Sequence, residues 1–306
     1  MFAGKYEGEL TATASKVTLY GPNYNIPGKV TRNDEALIDG IFNVNAASMT
    51  INGVRFNKAV KLAANNVTIS HCYVKPTATV KCNGQNRQGC IVDAASISNL
   101  TINYCYFDVP GTANSYTTQF MSFNSLTTLT FTNNFVTNSN HVTKSGSYAA
   151  SRIYNSAGVY NINNNEFEWG TTGYLLIIGD TTNSITELNF KENSIKGNAS
   201  ISTCAGIQFK KVAKNSVYNI IGNDFINIDG SEIMGSSNVG GTLNIAYNNF
   251  GGTTVYSQSG LTNSTLVFTN NYYAAAQEIT SDVNTYTHDA AGLEQMKADY
   301  AAYKAQ

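Results

Sequence analysis

From residue 48 onward the chain repeats one short pattern of apolar and polar positions. Nine segments share it, at 48–56, 66–74, 99–107, 128–136, 159–167, 187–195, 217–225, 242–250 and 265–273, and residues 16–24 form a looser copy. Each has a central apolar anchor: Ile51, Ile69, Ile102, Phe131, Ile162, Phe190, Ile220, Ile245 and Phe268. A second apolar residue lies two places before the anchor and a third lies five places after it. Alternation up to the anchor is the period of a strand. The odd offset of five then requires a tight corner followed by another strand. Two-residue Asn-Gly or Gly-rich reversals, which mark hairpins, do not recur there. The chain therefore turns without doubling back. Anchors recur 18–33 residues apart. A coil of that length with two or three short strands, stacked on its successor, buries the face that one repeat alone leaves open. The pattern predicts an all-β parallel β-helix of about ten coils over residues 1–286.

Three residues past the anchor runs a polar column: Val54, Cys72, Cys105, then Asn134, Asn165, Asn193, Asn223, Asn248 and Asn271. Asn tolerates the left-handed backbone that a sharp corner needs. Carboxamides stacked about 4.8 Å apart can also hydrogen-bond in a ladder along the coil axis. A buried amide without a partner costs about 1–3 kcal/mol, so six of them make sense only if they pair. These residues are expected to be scaffold.

Strand, x-Asn-x corner, strand, with an internal Asn ladder, resembles the right-handed parallel β-helix of the pectate-lyase-like superfamily. The likeness covers roughly residues 16–275. Right-handedness is what the resemblance implies. It implies little about activity, because that superfamily holds polysaccharide lyases, glycoside hydrolases, phage tailspikes, adhesins and non-catalytic surface proteins.

Composition narrows the partners. Charged residues are only 13% of the chain, and 19 Lys and Arg nearly balance 20 Asp and Glu. Nucleic acid and anionic membranes both select a basic face, so neither is expected. No apolar run reaches the ~18 residues of a membrane helix, so no membrane insertion is expected. Polarity comes instead from 40 Asn with Ser, Thr and Gly. The N-terminus has no basic and apolar run of a secretory signal. It reads like a strand entered midway, which suggests a piece of a larger chain.

A solenoid exposes core at each end. Residues 287–306 lose Asn and gain Ala, Lys and Glu. Leu293, Met296, Tyr300 and Tyr303 recur at helical spacing after an N-cap at Asp289. A short C-terminal helix is expected over the last coils as a cap, and no equivalent is visible at the other end. Cys72 and Cys105 share the corner column on successive coils, and Cys82 and Cys90 bracket a polar loop. Both pairs are candidate disulfides, each alternative to free thiols, and Cys204 has no partner in view. No Cys or His spacing suits a metal.

Chemistry on acidic or neutral polysaccharides would need clustered Asp with Arg or Lys, or two carboxyls ~5–9.5 Å apart, on successive coils. No such set is complete. The candidates are His141, Lys144 and Arg152 in one long inter-repeat stretch, and Glu166 with Glu168 around Phe167. No cofactor is implied. Binding has better support. The residue before the anchor forms an outward row of Thr50, Thr68, Thr101 and Thr130, continued by Asn161, Asn189, Asn219 and Asn244. A second row, Arg55, Tyr73, Tyr106 and Phe135, is an aromatic stripe of the kind that stacks on sugars or packs an interface. The sequence thus leads to a non-catalytic rigid module with a structural or glycan-binding role, outside the cytoplasm, in a cell-surface protein, adhesin or phage virion appendage. Its partners would be a glycan or a neighbouring protein subunit. The alternatives are a polysaccharide lyase or glycoside hydrolase on the same fold, and a self-assembling homo-oligomeric subunit.

Overall fold

The computed structural model describes residues 1–77, 80–81, 83, 88–109, 119–137, 151–154, 158–168, 173–179, 185–197, 204–210, 212–228, 230–235, 240–252, 254–257, 261–274, 279, 281–283 and 286–306. They form a parallel β-solenoid of three sheets with eleven, eleven and ten strands. Every strand pairs in parallel with its counterpart one coil away, except the short strand Val80–Lys81, which lies antiparallel to Gln88–Asp93. The anchors sit in the third sheet. Ile51 pairs in register with Ile69, Ile69 with Ile102, Ile102 with Phe131, and so on to Phe268. The residues five past the anchors belong to the first sheet, where Phe56, Val74, Phe107 and Val136 are aligned and fully buried.

These two inward faces meet the second sheet in one continuous core. Phe107, Phe120, Phe131, Phe167 and Phe190 form a chain of rings with centroids 5.5–6.4 Å apart, within the range of favourable aromatic packing. The second sheet falls in the stretches between repeats. Leu175, Leu176 and Ile177 there are all fully buried, so this strand is covered on both faces.

The left-handed corner lies one residue earlier than the Asn column. Positive φ occurs at His71, Tyr104, Asn133, Asn164, Glu192, Gly222, Tyr247 and Asn270, while the ladder Asn do not share it. The conformational demand and the carboxamide demand thus fall on adjacent positions. The six Asn are expected to stack, and they do. Each Oδ1 accepts the backbone N–H of the residue one coil before, at 2.9–3.0 Å, from Cys105 N to Asn134 through Asn248 N to Asn271. Each Nδ2 donates to the anchor carbonyl one coil before, as Asn193 does to Ile162 O at 2.8 Å. All six are at most 2% exposed.

Both ends of the ladder are finished by other residues. Asp282 Oδ2 accepts from Asn271 N at 3.1 Å, Asn271 Nδ2 at 2.9 Å and Tyr273 Oη at 2.6 Å. A carboxylate only accepts, so it closes a ladder that has no further carbonyl to reach. At the other end the thiols of Cys105 and Cys72 lie nearest Asn103 O and Ser70 O, at 3.3 and 3.1 Å, with Ile69 O and Ile51 O, the carbonyls that Nδ2 reaches elsewhere, at 3.6 and 3.8 Å, and Cys72 N donates to Cys105 Sγ. These two cysteines are free buried thiols, so the bridge between them is not formed. Cys90 is likewise a free buried thiol, and burial pushes it up. Cys82 and the side chain of Cys204 lie outside the described residues.

The helix spans Ala290–Lys304, and Asp289 caps it by accepting from Gly292 N at 2.9 Å. It packs on the last coils, touching the strand Tyr272–Tyr273 and the corners before it. Tyr300 and Tyr303 stack on Tyr247 with centroids 5.3 and 5.2 Å away, and Lys304 and Tyr300 Oη both reach Glu192. Glu192, Gly222 and Tyr247 are corner residues on successive coils, so the helix runs back along the side of the stack. The segment holding Ile279, Asp282 and Val283 also lies on the last coil, and Val283 bridges Thr269. At the opposite end Phe2 is 88% exposed, and Leu10 and Leu19 are only partly buried.

Candidate functional site

Of the residues proposed for catalysis, Glu166 and Glu168 have described side chains. His141 and Lys144 lie outside the described residues. Arg152 belongs to the strand Ser151–Tyr154 of the second sheet, in register with Ile177, and its side chain is not described. Glu166 and Glu168 stand on the outward side of the first sheet, each beside a cation. Lys29 pairs with Glu166, and Lys196 lies 3.6 Å from Glu168. Both carboxylates are thus held on the surface by partners of opposite charge. Among the described residues no group of three or more His, Cys, Asp or Glu is arranged to hold a metal ion.

Arg55, Tyr73, Tyr106 and Phe135 do form one row on the first sheet, in register coil by coil. Tyr73 and Tyr106 stack at 4.8 Å and 5°, and the Arg55 guanidinium lies 5.0 Å from the Tyr73 ring. The row is not an open face. Residues 21–35 run along it: Gly28 N donates to Tyr104 O, Arg32 Nη1 donates to His71 O, and Lys29 sits 4.2 Å over the Phe135 ring. Phe135 is 9% exposed, and burial with the nearby Asp108 charge pushes the Tyr106 hydroxyl up to about 12. The close approach depends on glycine, since a Cβ on Gly28 would stand 2.4 Å from Cys72 O and 2.5 Å from Tyr106 N. Gly28→Val is expected to lift this strap at a cost of about 1–3 kcal/mol. Limited proteolysis would read it as faster cleavage within 21–35, and an unchanged pattern would contradict the packing.

The outward face of the third sheet is open in a different way. Thr50, Thr68, Thr101 and Thr130 align in one row. Asn161, Asn189, Asn219 and Asn244 continue it, joined by carboxamide bonds of 2.8–3.0 Å. All eight side chains are half-buried, and none carries charge. Asn219 and Asn244 each use one N–H in the row and keep a second. Two residues earlier on the same strands, Val217 and Thr242 face a groove of about 460 Å³, a size that suits a small ligand. Lys214, Asn215, Ser216, Asn263 and Thr265 line the rest of it. Gly240, at φ +103°, lines this shallow groove too, and a Cβ there would stand 2.8 Å from Asn263 O. The groove was not visible in the repeat pattern, because its walls come from the variable stretches that precede each third-sheet strand.

One titratable group also escaped the sequence reading. Glu232, in the strand Ser231–Gly235, faces away from the core side occupied by Ile233, yet it is fully buried. Its Oε1 accepts from Gly252 N at 2.6 Å and its Oε2 has no partner. Burial pushes its carboxyl up to about 9. Gly230 and Ser231 before it and Ile233 and Met234 after it give no sequence signal of its burial.

Neither a protein-family model, nor a curated protein, nor a solved structure matches this chain. Among the described residues no helix is long and apolar enough to cross a membrane.

Proposed function

We propose that this chain is a non-catalytic, rigid module that holds an uncharged glycan against its third sheet, as part of a cell-surface protein, adhesin or phage appendage outside the cytoplasm. The reading places it on the right-handed plan of the pectate-lyase-like superfamily. Three parallel sheets, a left-handed corner and a stacked Asn column support that placement. The observation that carries the function is the junction of the groove with Asn219 and Asn244. A row of uncharged hydroxyls and carboxamides with spare donors, crossed by Glu187 and Lys191 on one strand, matches sugar hydroxyls, whereas a uronate would need cations along the row. Among the described residues that line the groove, the one charge is Lys214.

A glycan array followed by calorimetry on the best neutral ligand tests this. Asn219→Ala with Asn244→Ala is expected to weaken binding at least tenfold, about 1.4 kcal/mol, with folding intact. Tyr73→Ala, under the strap, is expected to leave it unchanged. Equal affinity of the Asn variant and the parent would reject the face, and turnover of any polysaccharide in a reducing-end assay would reject the non-catalytic role.

A further inference from the structure

The outer carboxamide row on the third sheet has a direction. Asn189 Nδ2 donates to Asn161 Oδ1 at 3.0 Å, Asn219 Nδ2 to Asn189 Oδ1 at 3.0 Å, and Asn244 Nδ2 to Asn219 Oδ1 at 2.8 Å. Every donor thus points toward the coil before, and every acceptor toward the coil after. The row stops at Asn244, because the residue in register with it on the next coil is Val267, whose side chain has no N–H to give. Asn244 Oδ1 is therefore the open end of a chain of three hydrogen bonds, and among the described residues nothing donates to it. Bonds in such a chain polarise one another, which makes the last oxygen a stronger acceptor than a lone carboxamide. The inner ladder is closed at its last Asn by Asp282, whereas the outer row has no such closure among the described residues. Val267 beside the open acceptor is 43% exposed, in a row otherwise made of Thr and Asn. Two residues earlier on the same strands, about 7 Å away, Thr242 and Thr265 line the groove.

We propose that the sugar held on this face carries an acetamido group, which continues the carboxamide row past Asn244. Its N–H donates to Asn244 Oδ1 as one more Asn would, its methyl covers Val267, and its ring lies toward the groove at Thr242 and Thr265. A hydroxyl in its place could donate the same bond but would leave Val267 wet, and a free amine would bring a charge and no methyl. The inference rests on the third sheet as the glycan-binding face and adds the class of sugar: an N-acetylated hexosamine.

The test is calorimetry of the full chain with N-acetylglucosamine and N-acetylgalactosamine oligosaccharides, each beside the glucose or galactose congener that has a hydroxyl at the same carbon. The acetamido sugars are expected to bind about tenfold more tightly, the worth of one covered methyl and a hydrogen bond to the end of the row. Saturation-transfer NMR is expected to be strongest at the acetyl methyl. Val267→Asn extends the row by one carboxamide that takes Asn244 Oδ1, so the preference is expected to vanish while the hydroxyl congeners keep their affinity. Val267→Ser, which removes the apolar surface and leaves the acceptor, is expected to lose part of the preference. Val267 is exposed, so both variants are expected to fold. Binding that is lost in Asn219→Ala with Asn244→Ala, yet equal for both congeners, would overturn the acetamido group and leave the face standing. A preference that survives Val267→Asn would overturn its place at the end of the row. Failure of every sugar to bind would remove the face itself and this inference with it.

Discussion

Asn193→Leu is expected to lower the unfolding free energy by about 3–5 kcal/mol, a large part of the total for a folded domain. Asn193 sits in the middle of the ladder and serves two neighbours at once. Its Oδ1 accepts from Asn165 N at 2.9 Å and Asn165 Nδ2 at 3.0 Å, and its Nδ2 donates to Ile162 O at 2.8 Å and Asn223 Oδ1 at 3.0 Å. Leucine has nearly the same volume but strands a buried N–H and a buried carbonyl, each at about 1–3 kcal/mol. Asn193→Cys should lose less, because Cys72 and Cys105 already stand in this column, where their thiols have acceptors in Ser70 O and Asn103 O and come within 3.6–3.8 Å of the anchor carbonyls. Denaturant unfolding of both variants measures the difference. A Leu variant as stable as the parent would show that the stacked carboxamides contribute little.

Glu232→Gln is expected to remove a pH dependence. A carboxyl held at about 9 in the folded chain, against 4.5 when unfolded, keeps its proton over a range where the unfolded chain releases it. The folded state then binds more protons, so stability is greatest below pH 4.5 and falls as pH rises toward 9. At pH 7, about 2.5 units above the ordinary value, the loss is on the order of 3 kcal/mol at about 1.36 kcal/mol per unit. Glutamine keeps the acceptor for Gly252 N and cannot ionise. The parent should weaken between pH 5 and 9 relative to the variant, and chemical unfolding at a series of pH values would show it. Parallel curves would mean that Glu232 is ionised in the folded state or meets a compensating charge.

The first and third sheets were legible in the sequence because they flank the one corner whose length never changes. Ile102 and Phe107, five residues apart, stand for every such pair, and both are fully buried. The second sheet was not legible for two physical reasons. The connections leading to it vary in length, so no register is kept. Strands such as Gly173–Ile178 are covered on both faces, so their apolar run lacks the alternation that marks a strand with one wet side.

The corner itself was misread by one residue. The left-handed position accepts His71, Tyr104, Glu192 and Tyr247 as well as Asn and Gly, so it leaves no compositional trace. The carboxamide position leaves a clear one, because only a side chain with both donor and acceptor can continue the ladder. The aromatic stripe was found in the right register, but its covering by residues 21–35 depends on contacts across coils, signalled only by Gly28. Asp282 was missed because it belongs to no repeat. Its single requirement is to accept hydrogen bonds at the end of a column. The groove beside Asn219 and Asn244 shares that obscurity, since Lys214, Gly240 and Asn263 come from different coils and have no common spacing.

The most direct test of the solenoid and its ladder is amide hydrogen exchange at the backbone N–H groups of Asn134, Asn165, Asn193, Asn223 and Asn248. Each donates to a carboxamide one coil away rather than to a backbone carbonyl. All five are expected to exchange only through global unfolding, with one shared opening free energy that Asn193→Leu lowers for the set. Fast, independent exchange at these five positions, at rates typical of exposed turns, would contradict a coil held at its corners by stacked side-chain amides.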